Sequence, residues 1–85
     1  MNQPNKTEIS NKLLLFLQGK ITRKDLSDWA YIYINNDDWQ LESEDDWEYL
    51  LEIAMIDEMV SPNVYLYSDE DIKEIYNKWN SRTNN

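Results

Sequence analysis

The sequence predicts an all-α protein that folds as a compact four-helix bundle. Four Ser or Thr residues precede helix-like stretches, and three of them have an acid three residues later, the pattern of a capping box. The apolar residues that follow recur at helical spacing. The chain has 85 residues and no internal repeat or linker. At this length one modest core is all that can be buried, so we expect a single domain over residues 1–85 with an ordered core of about residues 7–80.

The first two helices are predicted over residues 7–18 and after Thr22. The first carries apolar side chains almost all round at residues 13–17, and Gly19 follows it as a C-terminal cap. In the second, apolar residues at i, i+3, i+4, i+7 and i+8 form one stripe that faces a core: Leu26, Trp29, Ala30, Tyr33 and Ile34.

The third helix is predicted after Ser43 and the fourth after Ser68. The third carries two apolar stripes, one of which reaches Val60, so we expect it to pack on more than one neighbour until Pro62 ends it. Residues 64–67 alternate and fit either a two-turn connector or a short extended piece. The stripe of the fourth helix is formed by Ile72, Ile75, Tyr76 and Trp79.

The charge is acidic and unevenly distributed. The chain has 17 acids and 8 bases, a net charge of -9, and such a field repels phosphates and anionic membranes. We therefore expect no nucleic acid and no membrane as partners. No base lies between Lys24 and Lys73, so residues 25–72 hold 15 of the acids, while the two flanks hold all eight bases and two acids.

The acids of the middle segment predict a partner-binding surface. Seven acids in first helical turns are explained by their favourable interaction with the helix dipole. The others have no such role, and Trp39 lies among them, off any helical stripe; Trp often anchors interfaces. The predicted partner-binding residues are Asp37, Asp38, Trp39, Glu42, Glu48, Glu52, Asp57 and Glu58.

Several kinds of chemistry are excluded by composition. Without Cys or His the chain has no thiolate nucleophile, no disulfide and no Cys/His metal site, and one Gly cannot build a glycine-rich phosphate loop. We predict no catalytic residues, no cofactor and no metal, and therefore not an enzyme. No apolar run is long enough to span a membrane and the start lacks a signal-peptide pattern, so we expect a cytoplasmic protein.

Residues 13–30, LLLFLQGKITRKDLSDWA, resemble the opening of small helical immunity proteins. These belong to contact-dependent growth inhibition and related polymorphic toxin systems, and to tRNase colicins of the colicin D type. A leucine-rich first helix, a Lys-Ile-Thr or Lys-Ile-Ser turn and a second helix recur in that group. The resemblance implies a bacterial antitoxin that binds one-to-one to a cognate nuclease toxin, an RNase or tRNase, and covers its basic active-site surface with an acidic face.

Two alternatives remain beside the immunity interpretation. The chain fits an acidic adaptor or regulatory protein, or a nucleic-acid mimic, that binds some other basic protein. It also fits a helical domain whose acidity serves only solubility. In that last case neutralising the acids should leave all binding intact and should raise stability by relieving self-repulsion.

Overall fold

A computed structural model describes residues 3–36 and 43–81 of the chain. These residues form four α-helices and a two-stranded antiparallel sheet, so the predicted four helices are confirmed, but the chain is not all-α. No helix in the described ranges is long and apolar enough to cross a membrane. In chain order the elements are α1 (Lys6–Leu17), α2 (Arg23–Ile34), α3 (Glu44–Ala54), a 3-10 turn (Met55–Asp57), β1 (Met59–Ser61), β2 (Val64–Tyr65) and α4 (Asp69–Ser81).

Capping boxes begin α2 and α4 as predicted. The Thr22 hydroxyl accepts from the backbone N–H of Asp25 at 3.1 Å, and the Asp25 carboxylate accepts from the N–H of Thr22 at 3.0 Å. Ser68 and Asp71 make the same reciprocal pair, at 3.1 and 3.0 Å. These bonds satisfy N–H groups of the first turn that have no partner within the helix.

The starts of α1 and α3 differ from the prediction. Asn5, not a Thr, caps α1: its side chain accepts from the N–H of Glu8 at 2.9 Å, and Glu8 accepts from Asn5 in return. Ser43 accepts from the N–H of Asp46 at 3.2 Å, but the Asp46 carboxylate accepts from the N–H of Lys6 instead of closing a box. That bond ties the start of α3 to the start of α1.

The third helix ends earlier than predicted, and a β-hairpin follows it. The helix stops at Ala54, and residues up to Val60 do not continue it. β1 and β2 pair antiparallel with Ser61 opposite Val64, so the two residues between them form the turn. Pro cannot donate to a helix or a ladder, and Asn63 adopts a left-handed φ of 66° that Asn tolerates. The extended interpretation of residues 64–67 is confirmed for Val64–Tyr65.

The core is formed where all four helices meet. α3 packs against α2 and α1, and α1 also packs against α4. Only Leu13 of the apolar residues 13–17 is buried, and Trp79 is in the core as predicted, whereas Trp29 and Trp47 are half-buried at its edge. The fully buried side chains of the helices and the 3-10 turn include Ile9, Leu13, Leu26, Tyr49, Leu50, Ile53, Ile56 and Ile72.

Candidate functional site

The described chain divides by charge into two parts. Residues 3–36, called the basic half here, hold α1 and α2 with five basic and three acidic residues. Residues 43–81, called the acidic half, hold α3, the hairpin and α4 with two basic and eleven acidic residues. Between these two described parts, α1 and α2 are therefore the more favourable surface for an anionic ligand.

Arg23 belongs to the basic half but is occupied by structure. Its guanidinium donates to the carbonyl oxygens of Ile56 at 2.9 Å and Tyr67 at 2.8 Å, and to the Asp69 carboxylate at 2.9 Å. Only 12% of its side chain is exposed. Arg23 therefore fastens the segment around the hairpin to the start of α2 and is not free to bind a ligand.

Three lysines of the basic half remain accessible. Within the described residues, neither Lys12 nor Lys20 makes an ion pair, and Lys20 is exposed in the turn between α1 and α2. Lys24 pairs with Asp28 at 2.6 Å, and its hydrogen bond to that carboxylate raises the pKa of the Lys24 ammonium. Both side chains of this pair are mostly exposed, so the pair adds little stability and Lys24 can exchange the carboxylate for another anion.

A shallow depression lies between α1 and α2. It has a volume of about 240 Å³, and one wall is a face of α1 whose residues follow i, i+3, i+4 and i+7 spacing. The opposite wall is Trp29, whose ring lies 5.6 Å from the Lys12 ammonium and meets Tyr33 edge-on at 5.5 Å. The lining residues are Glu8, Asn11, Lys12, Leu15 and Trp29.

Half of the predicted partner-binding residues lie on the acidic half. Glu48 is exposed on α3, and Asp57 and Glu58 are exposed just after it. Glu52 is not a bare acid, because it accepts from the Lys78 ammonium at 2.5 Å and from the Trp79 indole N–H at 3.2 Å. The other four predicted residues, Asp37, Asp38, Trp39 and Glu42, lie outside the described residues.

The acidic half also holds a wider groove, of about 680 Å³, between the hairpin and α4. Three carboxylates and one lysine line it, so its charge disfavours a phosphate group. Its lining residues are Glu52, Leu66, Tyr67, Asp71, Glu74, Ile75 and Lys78.

Sequence reasoning missed the basic half as a candidate site, although the charge of the flanks was a signal for it. The structure distinguishes the two flanks. In the C-terminal flank, Lys78 pairs with Glu52, and Lys73 lies 3.5 Å from Glu70. The N-terminal flank keeps Lys12 and Lys20 outside ion pairs with the described residues, so among the described residues it is the flank whose cations remain accessible.

Residues 1–79 match a protein family described as YxzC DNA-binding protein. A curated relative, the uncharacterized protein YxzC of Bacillus subtilis (strain 168), is 34% identical over 74 residues, which is 87% of this chain. The chain spans 61% of the length of that relative. No solved structure matches.

These matches overturn the immunity interpretation. The resemblance of residues 13–30 to toxin-immunity proteins was misleading because a leucine-rich helix followed by a Lys-Ile-Thr turn also occurs in unrelated helical proteins. The predicted partner, a nuclease toxin, is therefore wrong. The alternative functions of an acidic adaptor and a nucleic-acid mimic are contradicted by the same matches.

The exclusion of nucleic acid as a partner is contradicted by the family's description. That exclusion rested on the net charge, an average that conceals the basic half. The contact of the eight predicted residues with a partner stays a prediction. The toxin is no longer the partner predicted for them. The match over residues 1–79 shows that the chain belongs to the YxzC DNA-binding protein family.

Proposed function

We propose that this chain binds DNA and that the basic half provides the surface that meets the phosphates. Beside the family membership, the observation that carries the proposal is the segregation of charge between the two halves. Phosphate contacts supply most of the sequence-independent affinity of proteins for DNA, and Lys and Arg make them. Lys12, Lys20 and Lys24 are the side chains that we assign to this task.

The net charge of -9 does not forbid this mode of binding. The chain extends over 36 × 30 × 23 Å, whereas interactions between exposed charges are largely screened beyond about 8 Å at physiological ionic strength. A phosphate beside α1 and α2 therefore interacts mainly with the lysines next to it. The acids of the more distant half act as a weaker repulsion that orients the protein, with the basic half toward the DNA.

The small number of accessible lysines limits the strength of binding. Three phosphate contacts correspond to a slope of about -2 to -3 in a plot of log affinity against log salt concentration. We therefore expect moderate, salt-sensitive affinity and no tight complex of the chain by itself. The proposal is one of binding without catalysis, and it places the chain in the cytoplasm, where bacterial DNA is found.

Fluorescence anisotropy with labelled DNA tests the proposal. The titration is repeated over a range of salt concentrations with the wild-type chain and with Lys20→Glu. Lys73→Glu is the matched control, because it also reverses one exposed lysine and changes the net charge equally, but on the acidic half.

We expect Lys20→Glu to weaken binding and to reduce the slope by about 1, and Lys73→Glu to change neither by as much. Equal loss in both variants would show that only net charge matters, and the assignment to the basic half would fail. No binding of the wild-type chain to any DNA at low salt would overturn the proposed function itself.

A further inference from the structure

We infer that the depression beside Trp29 takes an unstacked nucleobase, so that the chain prefers single-stranded DNA to a duplex. The inference rests on the proposed function and specifies its substrate. Proteins that bind single strands combine cations that follow the backbone with aromatic side chains on which bases stack. The described part of the basic half brings both kinds of group to one place.

The size of the depression limits it to a small ligand such as a single base. Its volume of about 240 Å³ lies below the roughly 300 Å³ at which pockets for larger ligands begin. Trp29 is half-buried against the core and is supported edge-on by Tyr33, so its indole is held in place and yet partly accessible. The Lys12 ammonium lies over the indole ring, 5.6 Å from its centroid, so an entering base replaces it on the ring face and the ammonium pairs with the phosphate of that base.

Polar groups for the edge of a base are also present. Asn11 lies in the same wall of α1, and its amide both donates and accepts hydrogen bonds. The Leu15 side chain completes the apolar part of the lining. Because stacking needs only the face of a ring, we expect broad tolerance of base sequence, with any preference coming from the amide.

Duplex binding with α2, α3 or α4 as a recognition helix is disfavoured by the same structure. Such a helix enters the major groove with its N-terminal residues toward the bases. The first two turns of α2 present Asp25 and Asp28 on the exposed surface, and Arg23 at its start is fastened to the hairpin. α3 and α4 each begin with three acids. Every one of these three helices would therefore bring carboxylates close to the duplex phosphates.

Anisotropy titrations of a single strand and of a duplex with the same sequence and length test the inference. We expect tighter binding of the single strand by the wild-type chain. Trp29→Leu keeps an apolar residue against the core but removes the stacking face, and it should weaken single-strand binding about 5- to 150-fold. Trp47→Leu is its control, because Trp47 is also half-buried at the edge of the core but lies on the acidic half.

A second pair of variants tests the same site at exposed residues, so that its result does not depend on how the core packs. Asn11 and Asn77 are both exposed helix residues, one in the wall of the depression and one on α4. Asn11→Glu should weaken single-strand binding at least severalfold more than Asn77→Glu, although both add one negative charge. If Trp29→Leu fails to fold, as judged by circular dichroism, this pair decides.

The outcomes separate the two proposals. A duplex bound as tightly as the single strand would overturn the nucleobase site and leave DNA binding by the basic half intact. Equal effects of Asn11→Glu and Asn77→Glu would overturn the nucleobase site and also count against the assignment of DNA binding to the basic half. Failure of both DNA forms to bind at low salt would overturn the proposed function, and the nucleobase site with it.

Discussion

The guanidinium carbon of Arg23 lies 3.9 Å from the centroid of the Tyr65 ring, so the first residue of α2 stacks on the second strand of the hairpin. The same guanidinium donates to the carbonyls of Ile56 and Tyr67, which flank the hairpin on either side. One side chain therefore joins the basic half to the acidic half. Arg23 is a structural cation, although by sequence it stands beside the lysines assigned to DNA.

Replacement of Arg23 should therefore lower the stability of the fold. It should have no specific effect on DNA binding. Arg23→Met leaves two carbonyl acceptors without their charged donor, and we expect a loss of about 2 to 3 kcal/mol in the free energy of unfolding, measured by urea denaturation. Lys20→Met, an exposed neighbour with no ion pair to the described residues, is the control and should change the midpoint little. Equal midpoints for the two variants would contradict the structural role of Arg23.

The role of Arg23 also explains why the hairpin was not predictable. Helix starts depend on local signals, and the pairs Thr22 with Asp25 and Ser68 with Asp71 are readable from residues three apart. At the end of α3 the partners are instead far apart in sequence: the Ser27 hydroxyl donates to the carbonyl of Ala54, and Arg23 donates to that of Ile56 just after it. Val60 fits a helical stripe equally well, so periodicity alone extends the helix too far.

The candidate site on the basic half could not be predicted from sequence for a related reason. Sequence shows which residues are charged but not which charges neutralise one another. The i,i+4 spacing predicts that Glu74 pairs with Lys78, whereas the structure pairs Lys78 with Glu52 across two helices. The spacing also predicts a pair of Glu8 with Lys12, but Glu8 closes the cap of α1 instead and leaves Lys12 beside Trp29. Only the folded chain shows where cations remain accessible.

Tyr49 should make the stability sensitive to alkaline pH. Burial raises the pKa of its phenol, and its oxygen lies 2.9 Å from the Ser10 hydroxyl. Above the ordinary tyrosine pKa of about 10 the unfolded chain releases this proton while the folded chain keeps it, so the free energy of unfolding falls as pH rises. Tyr49→Phe should lose less stability between neutral and alkaline pH than wild type in urea denaturation. Tyr67→Phe is the control, and an unchanged pH dependence in Tyr49→Phe would contradict the assignment.

Asn63 should be the most sensitive position of the hairpin turn. Its φ of 66° is a left-handed conformation that Gly and Asn adopt readily and β-branched residues do not. Asn63→Val should lower the free energy of unfolding by about 1 to 2 kcal/mol, whereas Asn63→Gly should leave it nearly unchanged. Thermal melting of the three chains measures the difference. Equal destabilisation by Val and Gly would show that the Asn side chain, and not its backbone conformation, is what the turn requires.

The Lys24–Asp28 ion pair should weaken DNA binding, because the carboxylate competes with phosphate for the Lys24 ammonium. Asp28→Asn releases the Lys24 ammonium from the carboxylate 2.6 Å away and removes a negative charge next to the proposed phosphate contact. We expect DNA affinity to rise about 2- to 5-fold, the range in which an exposed ion pair competes. Glu70→Gln is the matched control, because it releases Lys73 in the same way on the acidic half. If both variants tighten binding equally, long-range charge governs the interaction; a gain confined to Asp28→Asn would place Lys24 at the phosphates.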